Sequence, residues 1–341
     1  MKKTSLLTFA FACALPMTAH AADTPSMDGP LTIAKQGSFF VGGHEVKSDA
    51  LSTVPLFGAT GTITVDQMYV RYQMPMQPKD YSVVLIHGCC LTGKSWETTP
   101  DGRMGWDEYF LRRGYSTYVV DQAWRGRSAA SPVALNMVKT GKSAPDALPA
   151  FTAAGHEVAW TVFRFGAEYP QVFDGMQFPL EAQGEFWKQM VPDWNYSMTP
   201  PVPTVKALAE LSQRLGKTVL ISHSQSGIFP FQTATMSPKG IAGIVSIEPG
   251  ACPAANYDMA ALKGIPVLVL FGDYVSKSDA WSKRLAGCKE FATAAKTAGV
   301  EVEVVELPSV GIRGNSHMLM QDKNNLQVAD SLVGWLTAHV K

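Results

Sequence analysis

The chain has 341 residues with average hydrophobicity, enough for one large core or a core with an inserted subdomain. Its 29 basic residues match its 29 acidic ones, so there is no electrostatic case for nucleic acid or an acidic surface as a partner. Nothing in the composition points to disorder.

The first residues, MKKTSLLTFAFACALPMTAHAAD, carry Lys2 and Lys3, then an apolar run of signal-peptide length, then Ala19-His20-Ala21 as a small-x-small cleavage site. Residues 1–21 read as a secretory signal and residues 22–341 as the mature chain, secreted or periplasmic. Losing two lysines leaves 27 basic against 29 acidic residues, a charge of minus 2. No later segment reaches the roughly 18 uninterrupted apolar residues of a spanning helix, so no membrane anchor is expected. Cys13 leaves with the signal. Cys89, Cys90, Cys252 and Cys288 remain, an even number in an oxidising compartment, where disulfides are the default. His156-Glu157 lacks a second histidine at ligand spacing, and neither metal nor cofactor is expected.

After a loose start, short strands are expected around residues 38–46 and a bent strand over TITVDQMYVRYQM. YSVVLIHG reads as a buried strand and GWDEYFLRRG as a helix ended by Gly114. YSTYVVD, KTVLISHS, GIAGIVSIEP, PVLVLFGD and VEVEVVELP are further apolar, β-branched runs. Helical stretches lie between and after them: VPTVKALAELSQRLG, SGIFPFQTATM, SDAWSKRLAGCKEFATAAKTAG and NNLQVADSLVGWLTAHV. This alternation predicts an α/β fold with a doubly wound, mostly parallel sheet. Residues 132–200 break the rhythm without a clear strand, and 11 of the last 50 are aromatic, about twice the chain-wide 10%. Such density suits either a helical, aromatic-rich cap over a pocket or a satellite core against the sheet.

Gly88 to Ser95, within LIHGCCLTGKS, fits the phosphate-loop pattern G-x-x-x-x-G-K-[ST]. That loop needs a helix running on from Lys94-Ser95. The following WETTPDGRMG, with Pro100, Gly102 and Gly105, has no helical periodicity, and export removes the protein from its ATP supply. The match reads as chance.

KTVLISHSQSGIFPF sets Ser224 between an apolar strand and a helix, the layout of a nucleophile elbow. The tight turn needs small residues two before and two after the serine, and Ser222 and Ser226 meet that requirement although the strict G-x-S-x-G pattern fails. The backbone N–H of Gln225 is then aimed where an oxyanion would form. A serine hydroxyl needs a base. His317, in the Gly- and Ser-bearing loop SVGIRGNSHMLMQD, can reach across the strand ends, whereas His339 suits a solvated helix surface. His223 is expected to point away from Ser224, and His87 to brace the oxyanion loop. The third member must be a carboxylate orienting the imidazole. Asp273 comes slightly early after its strand, and Glu248, ending GIVSIE before Pro249-Gly250, is preferred.

The chain resembles the α/β-hydrolase superfamily over nearly all its mature length, in the order Ser224, Glu248, His317. HGCC, SHSQSG, IEPG and GNSHMLMQDKNN more closely resemble the bacterial esterase 713-like family, whose oxyanion hole contains two consecutive cysteines. The resemblance implies Ser224 as nucleophile, Glu248 as acid, His317 as base, and the N–H groups of Cys89 and Gln225 as oxyanion donors. It also implies bridges Cys89–Cys90 and Cys252–Cys288. An exported serine hydrolase of a small-molecule carboxylic ester is therefore expected. A lactone substrate, a non-catalytic binding protein on the same scaffold, and a homodimer are left open.

Overall fold

The computed structural model describes residue 27 and residues 29–341; the expected signal, residues 1–21, and Cys13 lie outside the described residues. Two long strands come first, β1 (Ile33–Ser48) and β2 (Gly61–Pro75), paired antiparallel. β1 is longer than its Gly and Ser punctuation suggested. It is an edge strand whose side chains are mostly exposed or half-buried, so pairing of its backbone, rather than an apolar run, sustains it. Asp66, at φ 64°, lies within β2, where a bend is expected.

β3 (Ser82–Ile86), α1 (Trp106–Arg112) and β4 (Thr117–Asp121) follow, with Gly114 at φ 85° just past the helix end. The chain then makes a long excursion through α2 (Val133–Lys139), β5 (Phe151–Thr152), α3 (His156–Val162), α4 (Gln183–Lys188) and β6 (Asp193–Trp194). β5 and β6 pair antiparallel in a stretch expected to lack strands; two residues each are too few for periodicity to register. The main alternation resumes with α5 (Pro203–Leu215), β7 (Thr218–His223), α6 (Phe229–Met236), β8 (Ile241–Ile247), β9 (Val267–Phe271), α7 (Asp279–Thr297), β10 (Val302–Glu306) and α8 (Asn325–His339). Pro203 opens α5 at a position where its missing N–H has no intrahelical role, and Gly216 at φ 85° closes it.

The eight strands run β1-β2-β4-β3-β7-β8-β9-β10. Those from β4 to β10 are parallel, and β2 joins β4 antiparallel. This is the doubly wound, mostly parallel sheet expected from the sequence. Successive strand side chains point to opposite faces, and both faces are covered, which is why the strands read as continuous apolar runs. Val84 and Ile86 of β3 join one core with Leu208, Phe229 and Phe291, whereas Val83 and Leu85 join the other with Phe110 and Leu332.

The second core also takes Trp160, Phe163, Phe165, Phe178 and Phe186 from the excursion, as a satellite core would, while Phe151, Tyr169 and Tyr196 stay exposed. A disulfide joins Cys252, in the loop after β8, to Cys288 on α7. Cys89 and Cys90 are free thiols in this structure, unlike the expected bridge. Adjacent Cα atoms stand about 3.8 Å apart, below the roughly 4.4 to 6.8 Å that a disulfide prefers.

Candidate active site

β7 ends at His223, and the chain turns at once into a short 3-10 helix, Ser224–Ile228. Ser224 sits at the corner with φ 58°, a left-handed conformation that costs a non-glycine residue of order 1 to 3 kcal/mol. Close packing holds the corner. A Cβ on Gly227 would stand 2.5 Å from the Cβ of Pro249, and one on Gly88 would stand 2.8 Å from the Cβ of Ser224. The Ser226 hydroxyl donates to the carbonyls of Ile86 and His223 at 3.1 and 3.0 Å, tying the turn to β3. The N–H of Gly250 donates to the Ser224 carbonyl at 2.8 Å.

Three side chains expected from the sequence meet here. His317 Nε2 lies 2.8 Å from Ser224 Oγ, and His317 Nδ1 lies 3.1 Å from Glu248 Oε2. With Nδ1–H donating to the carboxylate, Nε2 is left to accept from the serine hydroxyl. Both His317 and Glu248 are fully buried. Burial pushes the imidazole down to about 4 against the upward pull of Glu248, helped by the charges of Arg164 and Arg284. Burial alone would raise Glu248, but the Arg164 charge and hydrogen bonds from His317 and Arg164 hold it at about 2. Asp273, the competing carboxylate, instead accepts from the N–H groups of Tyr274 and Gly314 at 2.7 and 2.9 Å, bracing the base of the His317 loop.

Gly88, next to Cys89, brings the HGCC loop against Ser224, whose Cβ would lie 2.8 Å from a Cβ at Gly88. His87 is buried and fixes this loop as expected. It accepts from the N–H of Gln122 through Nε2 at 3.0 Å, and its Nδ1 lies 2.8 Å from the Gly88 carbonyl. The Cys90 carbonyl accepts from Val191 N–H at 2.9 Å. Asp193 pairs with the buried Arg125 and accepts from the Gln225 side chain at 2.7 Å. The sulfurs of Cys89 and Cys90 and an Asp193 oxygen lie within 4.8 Å of one another, a spacing open to a metal ion. The carboxylate is already engaged by Arg125, so a cation there would meet a buried positive charge. The Lys94 ammonium, which made the phosphate-loop match tempting, donates to the Thr98 carbonyl at 2.6 Å, and only a four-residue 3-10 turn, Gly93–Trp96, forms there.

Several participants escape a reading of the sequence. The His223 ring, expected only to turn away from Ser224, stands 4.5 Å from that of His317, and its Nε2 lies 2.9 Å from the His317 carbonyl. Asp322, pushed by burial up to about 7, accepts from Asn315 Nδ2, Ser316 N and Ser316 Oγ at 3.0, 2.9 and 2.6 Å, fixing the residues before His317. Arg164 grips both oxygens of Glu248 at 2.5 and 2.7 Å. The available signal was a charged residue in an aromatic run, VFRFG, where only a buried partner makes it affordable. His339 lies on α8 against Glu301 and Glu303, away from this constellation.

A mostly parallel sheet, a serine on a strained strand-to-helix turn and a histidine loop beyond the last strand define an α/β-hydrolase. No family model matches the chain. A bacterial esterase whose structure is known at atomic resolution is similar over 93% of this chain and 99% of its own, with 57% identity and a TM-score of 0.90. A protein of a fungal species (strain ATCC 74256), named "Probable secreted lipase phiG", is 28% identical over 79% of this chain and 85% of its own length. The chain belongs to the α/β-hydrolase family of that bacterial esterase.

Proposed function

We propose that this carboxylic ester hydrolase is exported and cleaves a small-molecule ester by an acyl-enzyme route, with Ser224 as nucleophile, His317 as general base and Glu248 as the acid. The observation that carries the reading is the 2.8 Å contact between Ser224 Oγ and His317 Nε2, with Glu248 on the other ring nitrogen. As Ser224 attacks the ester carbonyl, its proton passes to Nε2, and the imidazolium is balanced by a carboxylate already ionised. The N–H groups of Cys89 and Gln225 stabilise the oxyanion. His317 then returns the proton to the leaving alcohol, and water, activated by the same imidazole, releases the acid.

Two observations bear on the substrate. Residues 132–200 act as a cap in this reading. Phe151 and Trp194 stand with ring centres 5.1 Å apart, and Trp124 and Tyr196 4.4 Å apart, next to Asp193, whose carboxylate touches Gln225. The aromatic density of this cap favours an apolar or ring-bearing ester over a charged polymer. Export is supported by the leader sequence and by the fungal relative, which is named as a secreted lipase, and no helix among the described residues is long and apolar enough to cross a membrane.

The test is labelling and turnover. A fluorophosphonate is expected to modify Ser224, and Ser224→Ala is expected to abolish hydrolysis of short acyl, aromatic and cyclic esters. Absence of both labelling and turnover on the whole panel would leave a binding protein. Exclusive turnover of the cyclic esters would make it a lactonase.

A further inference from the structure

We propose that Arg164, supplied by the excursion between β4 and α5, is a positioning residue that keeps Glu248 a carboxylate and aims it at His317; this rests on the catalytic reading of the site given above. The geometry is a fork on a fork. Arg164 Nη2 donates to Oε1 at 2.5 Å and Nη1 to Oε2 at 2.7 Å, and both side chains are essentially fully buried. Oε1 also accepts from the N–H of Gly272, and Oε2 takes the His317 contact, so each carboxylate oxygen has two partners.

Arg164 is itself fixed from several sides. Its Nε donates to the Asp273 carbonyl at 3.0 Å, its guanidinium lies 4.9 Å from the Trp281 ring centre, and its backbone has φ 56°. The preceding carbonyl, that of Phe163, accepts from His317 N–H at 2.9 Å. One turn of the excursion therefore grips both the acid and the base.

The consequence is electrostatic. A buried carboxylate without a counterion would share one proton with the neighbouring imidazole, and the pair would need a higher pH to lose it. The active form of the pair is the one without that proton. Arg164 favours it, whichever atom would otherwise carry the proton. The other charged or titratable groups facing the pair are Arg284 on α7, His223 at the end of β7 and Asp322 in the His317 loop. Arg284 alone among these shares the sign of Arg164, and its guanidinium lies 4.3 Å from the Trp281 ring centre.

The experiment is the pH dependence of kcat and KM for the full mature enzyme, with folding checked by circular dichroism at each pH. Arg164→Gln is expected to lower kcat by about tenfold or more, with KM much less affected. Its acid limb is expected to move up by about one pH unit or more. Arg164→Lys keeps the charge but not the fork, so its acid limb should stay near that of the wild type while kcat falls. If Arg164→Gln does not fold, Arg164→Lys decides. A lysine variant with unchanged kcat, or with an acid limb displaced upward, overturns the proposal, as does a folded glutamine variant with an unmoved limb. Ser224→Ala, run in parallel, separates the two readings. Activity surviving in it removes the catalytic reading itself, whereas an inactive Ser224→Ala beside an unaffected Arg164→Gln removes only the role of Arg164.

Discussion

Among the seven non-glycine residues of the described chain with positive φ, Cys90, Arg164, Ser224 and Glu248 all border the same site. Each such conformation persists only where its surroundings over-determine it. For Ser224 the surroundings are Gly88 and Gly227, which have no Cβ to intrude. Gly88→Ala would set a methyl carbon 2.8 Å from the Ser224 Cβ and 2.9 Å from His223 Nδ1. The HGCC loop must then back away, carrying the Cys89 N–H with it. Because displacements near 1 Å at a reacting centre cost about a hundredfold, kcat is expected to fall by roughly that factor in Gly88→Ala. Steady-state kinetics beside a thermal melt checks this, and unchanged turnover would mean that the loop has slack. Ser224, His317 and Glu248 were legible in the sequence because each sits at a strand end or in a loop with its own punctuation. Glu248 gripped by Arg164 was not, since the two lie 84 residues apart and no local pattern links them.

At the scale of elements, the alternation of strand and helix was readable because a parallel sheet covered on both faces demands apolar runs. Of the edge hairpin, β2 was readable as a bent strand but the full length of β1 was not, because a half-exposed strand leaves a weak signal. The path of residues 133–198 escaped for a related reason, as its helices are six or seven residues long and its strands two. Elements that short are set by what they pack against. The Cys252–Cys288 disulfide ties such an irregular loop, following β8, to the long helix α7 across a separation of 36 residues. Cross-linking a loop of that size removes unfolded-state entropy worth about 3 to 4 kcal/mol in the chain-entropy model. The double variant Cys252→Ala/Cys288→Ala is expected to lose stability of that order in urea unfolding, with turnover at low temperature largely kept. A drop in turnover matching the drop in stability would show that α7 also steadies Trp281 beneath His317, the two rings being 4.4 Å apart.

For the whole molecule, buried titratable groups set a pH window of stability. Burial, before any neighbouring charge, lowers His87 and His317 to about 4 and His223 well below 6.5. The unfolded chain therefore binds more protons than the folded one between about 4 and 6.5, and stability falls as pH falls through that range. The slope reaches about 1.4 kcal/mol per pH unit for each such histidine. Glu248, at about 2 when folded, adds a further loss below its ordinary 4.5. Asp322 works in the opposite sense. Raised by burial to about 7, it contributes stability that is complete below the ordinary carboxylate range and is lost as pH rises through about 7. Urea midpoints should accordingly be highest near neutrality and fall steeply toward about pH 5. A midpoint constant across that interval would mean that the histidines are already charged in the folded protein.

The contacts of the excursion also bear on how its specificity can be altered. A segment that only roofed a pocket could be exchanged between relatives as a cassette. Here Phe163 and Arg164 hold His317 and Glu248, while Val191 and Asp193 hold the HGCC loop and Gln225. A transplanted segment lacking those four contacts would arrive with the arrangement of Ser224, His317 and Glu248 already dismantled. Redesign is better confined to exposed rings such as Phe151 and Tyr196, which can be varied while the supports stay in place.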